Sequence, residues 1–162
     1  MGSTASIGRT VISLPGHAAP ILLDTMGLSR DVSGAPWRAF AALVLAYQQL
    51  RIPVSVSDSA RRYLGNLHFT KMQRLGSSAL SQLIDCGVGM TGPRADQYRV
   101  HLAVVSRVDS LPDGRSRLRS TVVAGAEDVQ GPSKDPVKCG STGVLESRLG
   151  DIVAMHLKSL PP

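Results

Sequence analysis

Few residues of this chain have types and spacings that could support chemistry, and its two cysteines are the first candidates. Cys86 and Cys139 each precede a glycine, one after a predicted short helix and the other before the last helix. Both could therefore lie at the same end of the domain. They could form a disulfide, remain unrelated buried thiols, or act as a reactive or metal-binding pair. A catalytic cysteine needs a positioned histidine, and no spacing ties a histidine to either one.

The histidines and carboxylates form no recognisable catalytic or metal-binding pattern. His17, His68, His101 and His156 are scattered, without the close spacings of metal sites. No pair of carboxylates is spaced for glycosidase chemistry, and neither a dinucleotide-binding glycine motif nor a phosphate-binding loop is present. Residues 141–143 (Ser-Thr-Gly) could bind an anion at a helix start, but a plain helix cap explains them as well. We expect no enzyme activity, no metal and no cofactor.

Positive charge is the clearest chemical signal in the sequence. Eighteen Lys and Arg residues stand against twelve Asp and Glu residues, which gives a net charge of +6. Such an excess suits nucleic acid, anionic lipid headgroups or an acidic protein surface, although a bias towards arginine in residue usage produces it too. The candidate contact surface comprises Arg61, Arg62, Arg99, His101, Arg107, Arg115, Arg117 and Arg119. Interspersed acidic residues and the lack of interleaved aromatics argue against nucleic acid. A solvated sheet face without a partner explains the same residues.

Most of these arginines belong to a predicted β-hairpin. Residues 97–109 and 117–128 alternate between apolar and polar, and residues 111–114 (Leu-Pro-Asp-Gly) between them form a strong turn signal. We place Leu111 opposite Arg115, which makes one face apolar and buried, and the other basic and wet. This register sets Arg99 opposite Glu127 and Asp109 opposite Arg117 as favourable cross-strand pairs.

The remaining pattern predicts an α+β domain. A central packing helix is expected from Pro36 to Leu50, followed by a first hairpin at residues 52–57 and 62–69, a short helix and a final helix after Thr142. The apolar stripe of the central helix comprises Trp37, Phe40, Ala41, Val44 and Tyr47. Because no crossover strand pairs are evident, we expect an antiparallel sheet built from two hairpins, with about three helices packed on one face.

The length of 162 residues suits one domain. We assign residues 1–8 to a flexible lead-in without the apolar segment of a secretory signal, and residues 9–160 to a single domain. No apolar run is long enough to predict a membrane-spanning helix.

Two stretches of the chain resemble bacterial envelope proteins. Residues 37–43 (Trp-Arg-Ala-Phe-Ala-Ala-Leu), followed by residues 50–54 (Leu-Arg-Ile-Pro-Val) and Asp58, are similar to a run in small periplasmic lipoprotein domains. These include the helix-grip modules of the accessory lipoprotein of the outer-membrane β-barrel assembly machine. The second half is similar to uncharacterised envelope proteins that carry a cysteine at both points. The chain departs from these families at Arg51, where glycine is common, and in lacking a lipobox cysteine.

The resemblance implies a Cys86–Cys139 disulfide and an extracytoplasmic, non-catalytic module that works by contact. We therefore expect an accessory or scaffold subunit of an envelope or membrane-associated complex. Its partners would be proteins, with an anionic lipid surface as a further candidate. The alternative is a cytoplasmic nucleic-acid-binding domain that uses the arginine-rich hairpin face.

Overall fold

The computed structural model describes residues 11–22, 27–131 and 135–159, and these residues form an α+β fold. The predicted flexible lead-in, residues 1–8, lies outside the described residues. The helices are α1 (Pro36–Gln49), α2 (Leu80–Leu83) and α3 (Val144–Ser159). The strands are β1 (Val11–Ile12), β2 (Ile21–Leu22), β3 (Leu28–Val32), β4 (Val56–Asp58), β5 (Tyr63–Met72), β6 (Arg74–Leu75), β7 (Ser78–Ala79), β8 (Ile84–Asp85), β9 (Val88–Gly89), β10 (Gly92–Pro93), β11 (Arg99–Ser110), β12 (Ser116–Glu127) and β13 (Val137–Ser141).

Seven strands form the main sheet, so the prediction of a sheet built from two hairpins was wrong. The order is β4-β5-β11-β12-β13-β8, and β3 also pairs with β12. Both predicted hairpins are present in it, and the strand pairs are antiparallel. The additional strands fit because β12 is 12 residues long. Its edge accommodates β3 along residues 116–120 and β13 along residues 124–126.

The register predicted for the long hairpin is confirmed. Arg99 pairs with Glu127 and Asp109 with Arg117 along the β11–β12 ladder. The turn closes through the amide of Leu111, which donates to the carbonyl of Arg115 at 2.9 Å. The alternation of apolar residues specifies this pairing, because a slip of one residue would move each side chain to the opposite face.

The inner face of the sheet packs against α1 and α3 and forms the main core. Val100, Leu102 and Val104 of β11 are fully buried there. Tyr47 of α1 is also fully buried, and its hydroxyl contacts the carbonyl of Leu64 at 3.2 Å and the Ser106 hydroxyl at 2.9 Å. Burial raises the pKa of Tyr47, so the phenol stays protonated. The helices therefore lie on one face of the sheet, as predicted.

The outer face of the sheet is partly covered, which contradicts the prediction that it is wet. The ribbon formed by β1 and β2 packs Ile12, Leu14 and Ile21 against a second cluster that includes Ala103 and Val105. These two small apolar residues interrupt the polar alternation at the middle of β11. The segment that covers them is distant in sequence, so the alternation of β11 alone did not reveal it.

A disulfide joins Cys86 and Cys139, with a sulfur–sulfur distance of 2.00 Å, and confirms the pairing that the resemblance implied. Cys139 lies in β13 and Cys86 directly follows β8, the edge strand that pairs with β13. Both cysteines are buried in the main core.

Within the described ranges, no helix has the length and apolar character needed to cross a membrane.

Candidate functional site

The predicted contact surface is divided by ion pairs within the chain. Arg117 donates to Asp31 of β3 at 2.8 Å, and Arg115 donates to Asp113 in the turn at 2.7 Å. Arg107 lies 3.2 Å from Asp109. The carboxylates compensate these three arginines, so the hairpin does not present a continuous basic face. Asp31 belongs to β3, which is distant in sequence from the hairpin. The hairpin sequence alone therefore predicted a larger net positive charge on this face than the structure shows.

The other members of the predicted surface are also dispersed. Arg119 donates to the Ser29 hydroxyl at 3.2 Å, and Arg62 donates to the carbonyl of Val108 at 3.1 Å. Arg61 and Arg99 are exposed. Arg99 and Glu127 are opposite each other in the ladder, as predicted. The predicted contact between their side chains was wrong, because Glu127 binds His101 instead.

The pair of Arg117 and Asp31 gives a prediction about pH. The hydrogen bond from Arg117 holds the pKa of Asp31 below its ordinary value. We expect Arg117→Gln to raise the pKa of Asp31 towards its ordinary value, because the main group that lowers it is removed. The pKa of Asp31 is lower in the folded protein than in the unfolded chain, so the ion pair stabilises the fold in full above the unfolded-state pKa. This stabilisation is lost as the pH falls through the folded-state pKa. An NMR titration of the carboxyl carbon measures the change, with Arg119→Gln as the control. An unchanged pKa in Arg117→Gln would contradict the assignment.

A bulge in β5 brings two histidines together on the outer face. The register between β5 and β11 shifts between Leu102 and Val104, so that Leu67 and His68 both lie opposite Ala103. Leu67 packs against the outer apolar cluster, and His68 contacts His101 on the same face. Neighbouring side chains of a regular strand point to opposite faces, and the extra residue removes this alternation. Nothing in the local sequence signalled the bulge.

His68, His101 and Glu127 form a chain of hydrogen bonds. The Nε2 atom of His101 lies 2.5 Å from Oε1 of Glu127, and its Nδ1 atom lies 2.7 Å from Nε2 of His68. The ring planes differ by 13°. Nitrogens this close exclude face-to-face stacking, so the rings lie edge to edge. Because an ionised carboxylate can only accept, Nε2 of His101 donates to Glu127, and one proton is shared between Nδ1 of His101 and Nε2 of His68.

His101 is therefore fixed in position while His68 remains accessible. The His101 side chain is 11% exposed and that of Glu127 is 38% exposed, whereas His68 is exposed to solvent. The prediction that His101 lies on a wet face was wrong, because neighbouring strands and the bulge cover it.

In the described part of the chain, no cluster of three or more His, Cys, Asp or Glu side chains could hold a metal ion.

The Ser-Thr-Gly segment before α3 acts as a helix cap. The Ser141 hydroxyl accepts the amide of Gly143 at 3.1 Å, and the Thr142 hydroxyl accepts the amide of Val144 at 3.3 Å. Ser141 also donates to the carboxylate of Glu146 at 2.8 Å. Glu146 is buried beside a groove of about 420 Å³ between β3 and α3. The anion near this helix start is thus the chain's own carboxylate, which also interacts favourably with the helix dipole.

The outer face of α1 exposes several apolar side chains. The buried face of the helix is made by Ala39, Ala42, Leu43, Ala46 and Tyr47. On the opposite side, Trp37 is 68% exposed, Leu45 is 37% exposed, and Ala41 between them is also exposed. Arg38 is the only charged residue of the helix. A surface helix normally carries charged residues on its outer side, so this apolar stripe is exceptional.

The packing stripe predicted for α1 is only partly buried, because it is rotated relative to the face that packs on the core. Of the predicted packing stripe, Tyr47 is fully buried, Phe40 and Val44 are partly buried, and Trp37 and Ala41 are exposed. Because nearly every residue of the helix is apolar, helical spacing could not tell which side faces the sheet. The buried side instead uses three alanines, which allow α1 to approach its neighbours closely. We define the outer face of α1 as Trp37, Ala41 and Leu45.

Comparison with known proteins does not assign this chain to a family. No protein-family model matches it, and a comparison with curated proteins gives no significant match.

Proposed function

We propose that this protein is a non-catalytic accessory subunit of a cell-envelope complex and acts by protein–protein contact. The observation that carries the proposal is the outer face of α1, where Trp37 and Leu45 are exposed on a helix with a single charge. Contiguous exposed apolar side chains are typical of interaction sites. Tryptophan is also among the residues that most often dominate the binding energy at the centre of an interface.

The composition of α1 favours a protein partner over a membrane surface. Helices that lie in a lipid interface are typically rich in lysine and arginine on their polar side. The α1 helix has Arg38 alone, and the carbonyl of Leu157 accepts a hydrogen bond from it at 3.4 Å. The uncharged centre of the face, with exposed Arg51 two residues beyond the end of the helix, is typical of a protein interface with an apolar core and a polar rim.

The disulfide supports an extracytoplasmic location. Disulfides persist in oxidising compartments and are rare in the reducing cytosol of mesophiles. Cys86 and Cys139 form one, and they are the only two cysteines of the chain. The resemblance to small periplasmic lipoprotein domains is consistent with this location. The net charge of +6 would favour approach to a partner with an acidic surface.

Replacing Trp37 by alanine tests the proposal. Loss of an interface hot spot weakens binding by about 2 kcal/mol or more, which is roughly 30-fold in Kd. Because Trp37 is exposed, the Trp37→Ala variant is expected to fold normally. The protein and its variant are used to capture partners from detergent-solubilised envelopes, and the Kd of the recovered partner is then measured with purified components.

Met90→Ala is the matched control, since Met90 is a fully exposed apolar residue in the turn between β9 and β10. The proposal predicts a specific partner that is retained by the wild type and Met90→Ala and is lost by Trp37→Ala. Equal retention by all three proteins would refute it. So would binding of the wild type to phosphatidylglycerol vesicles that Trp37→Ala abolishes while protein capture is unchanged.

A further inference from the structure

We propose that the groove between β3, β12 and α3 binds an organic ammonium ion through the buried carboxylate of Glu146. The main sheet has a gap on this edge, since β3 pairs with residues 116–120 of β12 and β13 pairs with residues 124–126. In the described part of the chain, no strand pairs with residues 121–123 there. The start of α3 lies beside this gap, so a groove remains between the strands and the helix.

The groove has the size and the apolar walls of a small-molecule site. It consists of two adjoining cavities of about 420 and 380 Å³, and Leu28 and Glu146 line both of them. Ligand pockets usually measure about 300–1,000 Å³ and are mainly apolar, with a few polar groups that orient the ligand. Leu118 and Val122 of β12 are buried in its wall. The groove can therefore accommodate a short hydrocarbon chain.

Glu146 is the charged group shared by both cavities, and its charge is only partly compensated. Its residue is 8% exposed, and the Ser141 hydroxyl contacts both carboxylate oxygens at 2.8 Å. Among the described residues, no ion pair includes Glu146. One hydroxyl proton occupies only part of the acceptor capacity of a carboxylate, which has about four lone-pair sites. The start of α3 adds the equivalent of only about half a positive charge.

The other charges around the groove leave room for a cation. Arg30 and Asp151 line the second cavity with Glu146. Arg30 lies against Gly150 and forms an ion pair with Asp151, so its charge is already compensated. Glu146 is then the charge that a ligand can neutralise. The net charge of +6 opposes a cation only weakly, because salt screens exposed charges beyond about 8 Å at physiological ionic strength.

A primary ammonium group on a short apolar chain matches both parts of the groove. Its three N–H donors and its full positive charge suit the acceptor sites that Ser141 leaves open on Glu146. Hydrogen bonds between charged partners are about twice as strong as those between neutral ones. The hydrocarbon chain would pack against Leu28 and Val122. A free alkylamine and the side chain of a lysine both present this group.

The test is a titration of the full ¹⁵N-labelled chain with n-pentylamine, followed by the NMR shifts of the backbone amides. We expect saturable shifts at Leu28, Val122 and Gly143. Because 1-pentanol has the same chain without the charge, it is expected to bind about tenfold more weakly or worse. Equal binding of the two compounds, or no saturable shift in the groove, would overturn the proposal without the use of any variant.

Nα-acetyl-lysine methylamide distinguishes the two sources of the ammonium group. It carries the lysine side chain on a peptide-like backbone. Binding of n-pentylamine alone would support a free amine as the ligand. Tighter binding of the lysine compound would support a lysine side chain.

Glu146→Gln removes the charge while it keeps the size of the side chain and an acceptor for the Ser141 hydroxyl. It is expected to weaken the binding of n-pentylamine about tenfold or more. Glu127→Gln is the matched control, because Glu127 contacts His101 on the outer face of the sheet and does not line the groove. We expect it to bind n-pentylamine like the wild type.

An unchanged affinity in Glu146→Gln would refute the role of this carboxylate. Failure of the proposal would leave the contact proposed for α1 untouched, because no residue of the outer face of α1 lines the groove.

Discussion

The double variant Cys86→Ala/Cys139→Ala is expected to lose about 2–4 kcal/mol in the free energy of unfolding. The disulfide joins residues 53 apart in sequence and therefore restricts a large loop in the unfolded chain. For a loop of this length, the chain-entropy estimate is about 4 kcal/mol. The bond also connects β13 to Cys86, next to the edge strand β8, so its loss weakens the docking of that edge.

Chemical denaturation of the wild type, with and without reductant, provides the matched comparison. Reductant is expected to lower the stability of the wild type and to leave the double alanine variant unchanged. Alanine is preferred to serine because both positions are buried in the main core. A wild type that keeps its full stability after complete reduction would contradict a stabilising role for the bond, and would weaken the argument for an oxidising compartment.

Gly125→Ala is expected to destabilise the protein by about 1–3 kcal/mol, the usual range for overpacking. A Cβ atom at this position would lie 1.6 Å from the carbonyl oxygen of Pro15, which is backbone and cannot rotate away. The N-terminal ribbon of β1 and β2 would have to move, which would expose Ala103 and Val105 beneath it.

Gly140→Ala is the control for this substitution. Gly140 also lies in the main sheet, but a Cβ atom added there meets no atom within 4 Å. We expect it to be neutral by chemical denaturation, while Gly125→Ala is less stable and is cleaved faster by protease within residues 11–22. Equal stability of the two variants would show that the ribbon does not pack against β12 as described.

The long hairpin was predictable because its signals are local. The register is determined in the same way by the alternating residues of both strands and by the turn at residues 111–114. The structure shows this register. The extra strands were not predictable in this way. The strand β3 pairs with β12 across about 90 residues, and its exposed side chains carry little apolar alternation.

The candidate sites were less predictable, for physical reasons that differ between them. The arginines lie on the hairpin strands in the predicted register. The compensation of the Arg117 charge by Asp31 was not predictable, because it depends on long-range strand pairing. The contact of His68 with His101 depends on a bulge that places two successive residues on one face. For α1, the position of the helix was right but part of the predicted packing stripe is exposed, because an almost uniformly apolar helix has no polar face to orient it.

Photochemical crosslinking in intact cells tests whether the outer face of α1 contacts a protein partner. A benzoylphenylalanine is placed at position 41, in the middle of the outer face of α1, and in a second variant at position 70. Thr70 is exposed and pairs with His101 in the ladder on the side of the sheet away from the helices. We expect a crosslink to one protein partner from position 41 and none from position 70. Equal adducts from both positions, or adducts of position 41 with lipid or nucleic acid alone, would contradict it.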